Sequence, residues 1–226
     1  YFYNLIPGSG VPQSYINRFS QNNKWLTNSK NSNNKSSFDF DNELIFLYCA
    51  RLLKSKGIKI FIQLAKLLPS YKFHIFGDFD LASKDSIDSE ELNQLIAESN
   101  NISYFGPKSN PLIKYIDKYS ILVVPSTYGE GLPRAIAESQ ALKIPVISSS
   151  SAHGGNFDKD TLFISKSNDP EDYLKAFQEL CEDFHNKKLP EKINKGEKYV
   201  RMNLTETLIV DKTIALYQYL LKKNIN

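Results

Sequence analysis

Between Leu44 and Ile164, apolar runs of strand length alternate with segments of helical period. Strands joined through helices cannot pair as tight hairpins; the crossover lays them parallel and packs helices on the sheet faces. Residues 44–50, 72–77, 102–105, 121–125, 144–149 and 161–164 read as strands, the first of them buried. Helices are expected over 56–68, 88–98, 110–118 and from Pro133 to about Leu142. Three more, at about 170–186, 190–202 and 205–223, close the chain. The fold class is therefore α/β, a Rossmann-like doubly wound parallel sheet with extra C-terminal helices. Such sheets bind ligands outside the carboxyl ends of their strands. The loops after Ala50, Phe76, Pro125 and Ser149, and around Gly106, are where function should be sought.

Residues 5–19 carry two prolines and two glycines and read as a turn-rich connection, and residues 20–43, rich in Asn, Ser and Lys, as a polar, solvated linker. The nucleotide-binding unit is placed at 44–188 and the terminal helices at 189–226. The chain opens without a methionine or a signal-like segment, so it is expected to be part of a longer one. No apolar run is long enough to span a membrane. A formal charge of +3 is too small to argue for nucleic acid, and no nucleic-acid partner is expected. Cys49 and Cys181 fall in a strand and a helix pattern, without metal-ligand spacing, and read as reduced core thiols.

The most informative window is Val124–Pro125–Ser126–Thr127–Tyr128–Gly129–Glu130–Gly131–Leu132–Pro133–Arg134–Ala135–Ile136–Ala137–Glu138. A strand ends, a tight loop follows, and Pro133 opens a helix. Free N–H groups at a helix start suit phosphate oxygens. A carboxylate further in, Glu138, suits a ribose diol because it can accept two O–H bonds. Glu130 lies in the loop itself. After the first strand, Arg51 and Lys56 bracket a turn, so both cations can converge on one anion, and Gly57 can be read as room for a ligand. Asp78 and Asp80 have a spacing that suits a divalent cation on a diphosphate, but two carboxylates after a strand are ordinarily turn residues. No metal is expected there. In the small polar loop 148–156, His153 is a candidate for sugar or phosphate contact; His74 and His185 read as structural.

These residues resemble the C-terminal domain of the retaining glycosyltransferases of family 4, enzymes of two-domain GT-B architecture. Ile6–Pro7–Gly8–Ser9–Gly10–Val11 looks like the interdomain entry. Ala50–Arg51–Leu52 with Lys56–Gly57 looks like the diphosphate clamp, and Phe105–Gly106 like the strand and glycine before the base pocket. Glu130 and Glu138 fit the family's paired-glutamate signature, and the final helix with Tyr217 resembles the one that crosses back to the other domain. The resemblance implies that Arg51 and Lys56 neutralise the departing diphosphate, with Glu130 beside the sugar or phosphate as the third catalytic residue. It implies that Glu138 holds the ribose and that Gly131, Leu132 and Pro133 position the donor, with Gly77, Gly106, Ser126 and His153 as further donor-binding positions. No cofactor is implied beyond the donor, a nucleotide sugar read as UDP-linked. The implied partners are a saccharide or lipid-linked acceptor and an N-terminal acceptor domain of the same protein, in the cytoplasm or peripherally at the inner membrane face. The implied activity is transfer of a hexose or N-acetylhexosamine with retention, in cell-surface polysaccharide synthesis. The alternative reading is a non-catalytic nucleotide-binding module. The chain departs from the family pattern at Phe79, at Ser139–Gln140 and in the loop through Asn156, which lacks a glutamate.

Overall fold

The computed structural model describes residues 8–18, 23–27, 43–152 and 157–223. In chain order the elements are α1 (Gln13–Ile16), α2 (Lys24–Thr27), β1 (Ile45–Cys49), α3 (Ile58–Leu67), β2 (Lys72–Phe76), α4 (Ser89–Ile96) and β3 (Ile102–Tyr104). A 3-10 turn (Pro111–Tyr115) then leads to β4 (Ser120–Val124), α5 (Arg134–Ala141), β5 (Val146–Ser149) and β6 (Phe163–Ser165). The chain continues through α6 (Pro170–His185), α7 (Leu189–Asn203) and α8 (Glu206–Lys223).

The six strands form one sheet in the order β3-β2-β1-β4-β5-β6, with every pairing parallel. The alternation of side chains along β1 shows why two layers of helices are needed. Phe46 and Tyr48 point to one core with Phe61 of α3, Leu92 of α4 and Phe177 of α6. Ile45 and Leu47 point to the other with Tyr15 of α1, Leu112 of the 3-10 turn and Ile136 of α5. The doubly wound expectation holds. The sheet runs outward in both directions from the β1/β4 pair, so its topological switch point lies between the ends of these two strands.

Local chemistry sets most helix boundaries. Asp88 caps α4 by accepting the Glu91 N–H at 2.8 Å, and Asp169 caps α6 by accepting that of Glu171 at 3.0 Å, ahead of Pro170. The helix expected from residue 56 begins only at Ile58, because left-handed Gly57 (φ 75°) ends the preceding turn and stands at the N-cap, its carbonyl accepting the Phe61 N–H at 3.0 Å. The segment expected as a helix over 110–118 is a short 3-10 turn; left-handed Asn110 and Pro111 start it, and the chain must re-enter the sheet at Ser120.

One expectation needs correcting. Within the stretch read as a solvated linker, residues 23–27 belong to the folded domain. Trp25 is fully buried, its indole N–H donates to the Ser120 carbonyl at 3.0 Å, and its ring meets Tyr119 and Phe184 edge-on. Asn23 and Lys24 around it made the segment look soluble, yet burial of one large aromatic outweighs its polar neighbours. The remainder of 20–43, residue 43 apart, lies outside the described residues. Residues 8–18, read as a connection, are also docked: Val11 is buried and exchanges backbone hydrogen bonds with Leu204 and Glu206.

Cys49 and Cys181 are free thiols; Cys181 is a core residue, burial pushing it up to about 12, whereas Cys49, read as a core thiol, is partly exposed and borders the clefts described below. The changed pair Ser139–Gln140 is accommodated. The Ser139 hydroxyl donates to the Ile144 carbonyl and the Gln140 amide to that of Thr161, while Gly196 on α7 leaves room for the Gln140 side chain. Phe79 packs edge-on to Tyr104.

Candidate active site

Two adjoining clefts open at the carboxyl ends of β1 and β4. The first, about 540 Å³, is lined by Tyr48–Arg51 and Lys56 from the β1 side and by Val123–Ser126, Glu130 and Leu132–Ala135 from the β4 side. The second, about 390 Å³, runs from Arg51 and Arg134 past Ala135 and Glu138 to Phe76, Gly77 and Asp78, and is closed by Pro107–Lys108 and Asn110–Leu112. Cys49, Ala50, Arg51, Arg134 and Ala135 border both, so the two form one continuous groove.

The loop carrying Arg51 and Lys56 is tightly held. The Tyr48 hydroxyl donates to the Arg51 carbonyl, the Ser55 N–H and hydroxyl donate to the Asp85 carboxylate, and the Thr127 N–H donates to the Ser55 carbonyl. Gly57 completes this anchoring. A Cβ there would sit 2.0 Å from the Pro125 carbonyl oxygen, so the glycine admits the neighbouring backbone, not a ligand. This corrects its expected role. Gly77 works alike: a Cβ would lie 1.8 Å from the Ala50 carbonyl oxygen. Gly77 lines the second cleft, whereas Gly106 does not; it is needed for its left-handed backbone (φ 68°).

Lys56 and Glu130 meet across the groove, Nζ to Oε2 at 2.8 Å, both largely buried. The Ser126 hydroxyl donates to the other Glu130 oxygen, and the Lys56 ammonium also lies 4.9 Å from the Tyr128 ring centre. Burial opposes the Lys56 charge, but hydrogen bonding and attraction to Glu130 and Tyr128 outweigh it and hold its pKa above the ordinary lysine value. A fixed cation therefore faces the first cleft. Ser126 is itself held, its carbonyl accepting the hydroxyls of Ser149 and Ser151.

Arg51 lines both clefts, with its guanidinium exposed and paired to Asp80 at 2.5 Å. Arg134, absent from the sequence candidates, also faces both clefts and pairs through Nε with Glu138 Oε1 at 2.5 Å. Its place directly after Pro133, at the first position of α5, was the available signal. No side chain caps α5, so its first turn, at Arg134 and Ala135, offers backbone N–H groups toward the groove. Leu132 and Pro133 line the first cleft; Gly131 is exposed between cleft residues. His153 lies outside the described residues. His74 is half-buried and lines neither cleft, Nδ1 2.8 Å from the Tyr115 hydroxyl, and His185 Nδ1 lies 2.6 Å from the Cys181 carbonyl, both in structural roles.

The arrangement is a densely charged groove: Arg51, Lys56 and Arg134 pair with Asp80, Glu130 and Glu138 in turn, Asp78 lines the second cleft, and the uncapped start of α5 borders both clefts. It can hold an anionic group centrally and hydroxyl-bearing groups at both ends. Comparison with known proteins identifies the family and the fold. A family model described as glycosyl transferases group 1 matches residues 29–199. The capsular polysaccharide biosynthesis glycosyltransferase CapM of Staphylococcus aureus is 26% identical over 78% of this chain and 46% of its own length. A glycosyltransferase from Rickettsia africae superposes with a TM-score of 0.74 over 96% of this chain and 57% of that one, at 20% identity. HepE from Anabaena, solved with UDP and glucose, gives a TM-score of 0.68 over 79% of this chain and 49% of that one, at 18% identity. At these identities the structural likenesses speak for the fold. The chain spans less than half the length of the curated relatives it matches.

Proposed function

The chain belongs to the glycosyl transferases group 1 family, and from that membership we propose that it is the donor-binding half of a retaining, GT-B-type glycosyltransferase using a UDP-linked hexose or N-acetylhexosamine. The observation that carries the reading is the continuous groove at the β1/β4 switch point, with Arg51 and the uncapped start of α5 bordering both clefts and Lys56 facing the first.

In this reading the nucleoside lies in the second cleft, with Glu138 accepting from the ribose hydroxyls. The diphosphate lies where the clefts meet, between Arg51, Lys56, Arg134 and the first N–H groups of α5. The sugar reaches toward Glu130 and Leu132. Departure of the diphosphate is the costly event, because negative charge grows on its oxygens as the glycosidic bond breaks. Pre-positioned cations in a partly desolvated site stabilise that charge without reorganising, and losing one such contact costs on the order of 10²-fold in rate. Glu130, engaged by Lys56 and Ser126, keeps the lysine aimed and retains acceptor capacity for a sugar hydroxyl. The cations already present make bound metal unnecessary to this scheme.

The acceptor side is proposed to come from an N-terminal domain of the same protein. Along α8, Val210, Ile214, Tyr217 and Leu221 are exposed and recur at helical spacing on one face, a stripe suited to packing against such a domain. The capsular polysaccharide role in the name of the CapM relative supports cell-surface polysaccharide synthesis; a saccharide or lipid-linked acceptor, and a cytoplasmic site of action in peripheral contact with the membrane, complete the proposal. Among the described residues, no helix is long and apolar enough to cross a membrane.

Calorimetric titration with UDP, GDP and ADP, with and without EDTA, tests the proposal. One diphosphate should bind equally well in either condition, UDP first among them, and Glu138→Ala and Arg51→Ala/Lys56→Ala should each abolish that binding. A folded chain that binds none of the three would refute it.

A further inference from the structure

We propose that Asp85, on the loop between β2 and α4, is a positioning residue for Lys56: by clamping Ser55 it sets the backbone from which the lysine reaches the donor's diphosphate. This rests on the donor-site reading above. Residues 78–87 run back along the loop that follows β1. The Leu52 N–H donates to the Asp78 carbonyl at 2.9 Å, the Ile87 N–H to the Leu52 carbonyl at 3.0 Å, and the Lys54 N–H to the Asp85 carbonyl at 2.8 Å. Leu53 and Ser86 form an antiparallel bridge within this ladder. At its end one Asp85 carboxylate oxygen accepts both the Ser55 N–H, at 3.1 Å, and the Ser55 hydroxyl.

The Asp85 carboxylate is itself aimed, its own N–H donating to the Ser83 hydroxyl at 3.2 Å. The Ser55 hydroxyl, and after it the Ser55 N–H, hold its pKa below the ordinary aspartate value against the opposing effect of burial, so both contacts are made to an ionised acceptor. Asp85 lines neither cleft, so it acts on a bound donor through Lys56 and not by contact.

Ser55 is where three loops meet. Its side chain and N–H engage the loop after β2, while its carbonyl accepts the Thr127 N–H at 2.8 Å and the Thr127 hydroxyl at 3.2 Å, from the loop that carries Glu130. Lys56 follows directly. Its N–H donates to the Leu53 carbonyl at 3.1 Å and its Nζ meets Glu130 at 2.8 Å. A lysine stem is flexible, so its ammonium is well placed only when both ends are held. Glu130 holds the charged end; Asp85 and Thr127, through Ser55, hold the backbone end. A shift of about 1 Å in such a group can cost about 10²-fold in what it does for the substrate.

The test compares UDP with uridine, which lacks the diphosphate, by calorimetry on the wild-type chain, Asp85→Ala and Asp85→Asn. UDP affinity should fall about tenfold in Asp85→Ala, the scale of lost hydrogen bonds to a charged group. Asparagine keeps an acceptor oxygen for Ser55 and should restore part of that loss, while uridine binds all three proteins alike. In a Lys56→Met background, Asp85→Ala should change UDP binding little, because the cation it positions is gone. Should Asp85→Ala prove unfolded, Ser55→Ala replaces it, removing the hydroxyl alone, with an expected loss of about two- to fivefold for UDP only. Unchanged UDP affinity in a folded variant, equal losses for UDP and uridine, or an undiminished loss in the Lys56→Met background would each overturn the role of Asp85 while leaving the donor site in place. Failure of the folded wild-type chain to bind any nucleoside diphosphate would instead remove the donor-site reading itself.

Discussion

Lys56 shows how one residue's chemistry depends on partners that sequence does not place beside it. Its ammonium is held by Glu130, 74 positions away, at 2.8 Å. Taking both charges out of water offsets much of their attraction, so the pair is better understood as orientation than as stability. Lys56→Met keeps the stem and removes the charge; UDP binding should weaken about tenfold or more, the scale of a charge-assisted contact, with uridine binding little changed. Titration of both ligands checks this, and equal losses would show that the lysine shapes the loop instead of meeting phosphate. His74 gives a pH prediction. Burial, then the nearby Lys118 and Lys72, push its pKa down to about 4, against about 6.5 when unfolded. Between those values the unfolded chain binds more protons, so stability should fall as pH drops through that window and level off below it. Urea midpoints at about pH 7.5 and about pH 5 measure the slope, which His74→Gln should reduce.

At the scale of elements, the periodicities of 2 and 3.6 located the strands and the long helices because burial on one or two faces leaves a direct mark on residue order. Boundaries governed by backbone approach left a weaker one. Gly57 carries the same letter whether it makes room for a ligand or for the Pro125 carbonyl, and only the fold decides between them. Gly57→Ala would combine a strained left-handed φ with a collision against backbone. We expect a loss of about 1–3 kcal/mol from the φ alone and more from the collision, read as a lowered urea midpoint. Because Lys56 immediately precedes it, nucleotide affinity should fall in parallel. The 3-10 turn at Pro111–Tyr115 is a similar case: its composition suits a helix, but the distance back to β4 leaves no room for one.

At the scale of the whole molecule, the switch point gathers the site. Arg51 and Lys56 follow β1, Glu130 and Glu138 follow β4, and parallel pairing of Ile45–Leu47 with Ser120–Leu122 puts both loops at one edge. Arg51, Lys56, Glu130 and Glu138 were legible as candidates because each lies in the segment that follows an apolar strand. Arg134 was not, because it looked like an ordinary helix residue. Trp25 is the largest-scale surprise, a core residue supplied by a polar segment that packs beneath β4 and α6. Trp25→Ala should destabilise the domain by about 3–5 kcal/mol, as for other buried aromatics. Chemical denaturation followed by circular dichroism would register this, and a loss below about 0.5 kcal/mol, the range of surface changes, would return the segment to the solvent.

The amino-acid order by itself determined the α/β class, the parallel sheet and the loops that carry the chemistry, since alternation, helical period and loop residues are local properties. Tertiary structure alone decided which carboxylate meets which cation, which glycines serve backbone contact, and that residues 8–18 and 23–27 belong to the folded domain, with Val11, Tyr15, Ile16 and Trp25 in its core. Those outcomes depend on distances between segments far apart in the chain, and no local pattern encodes them.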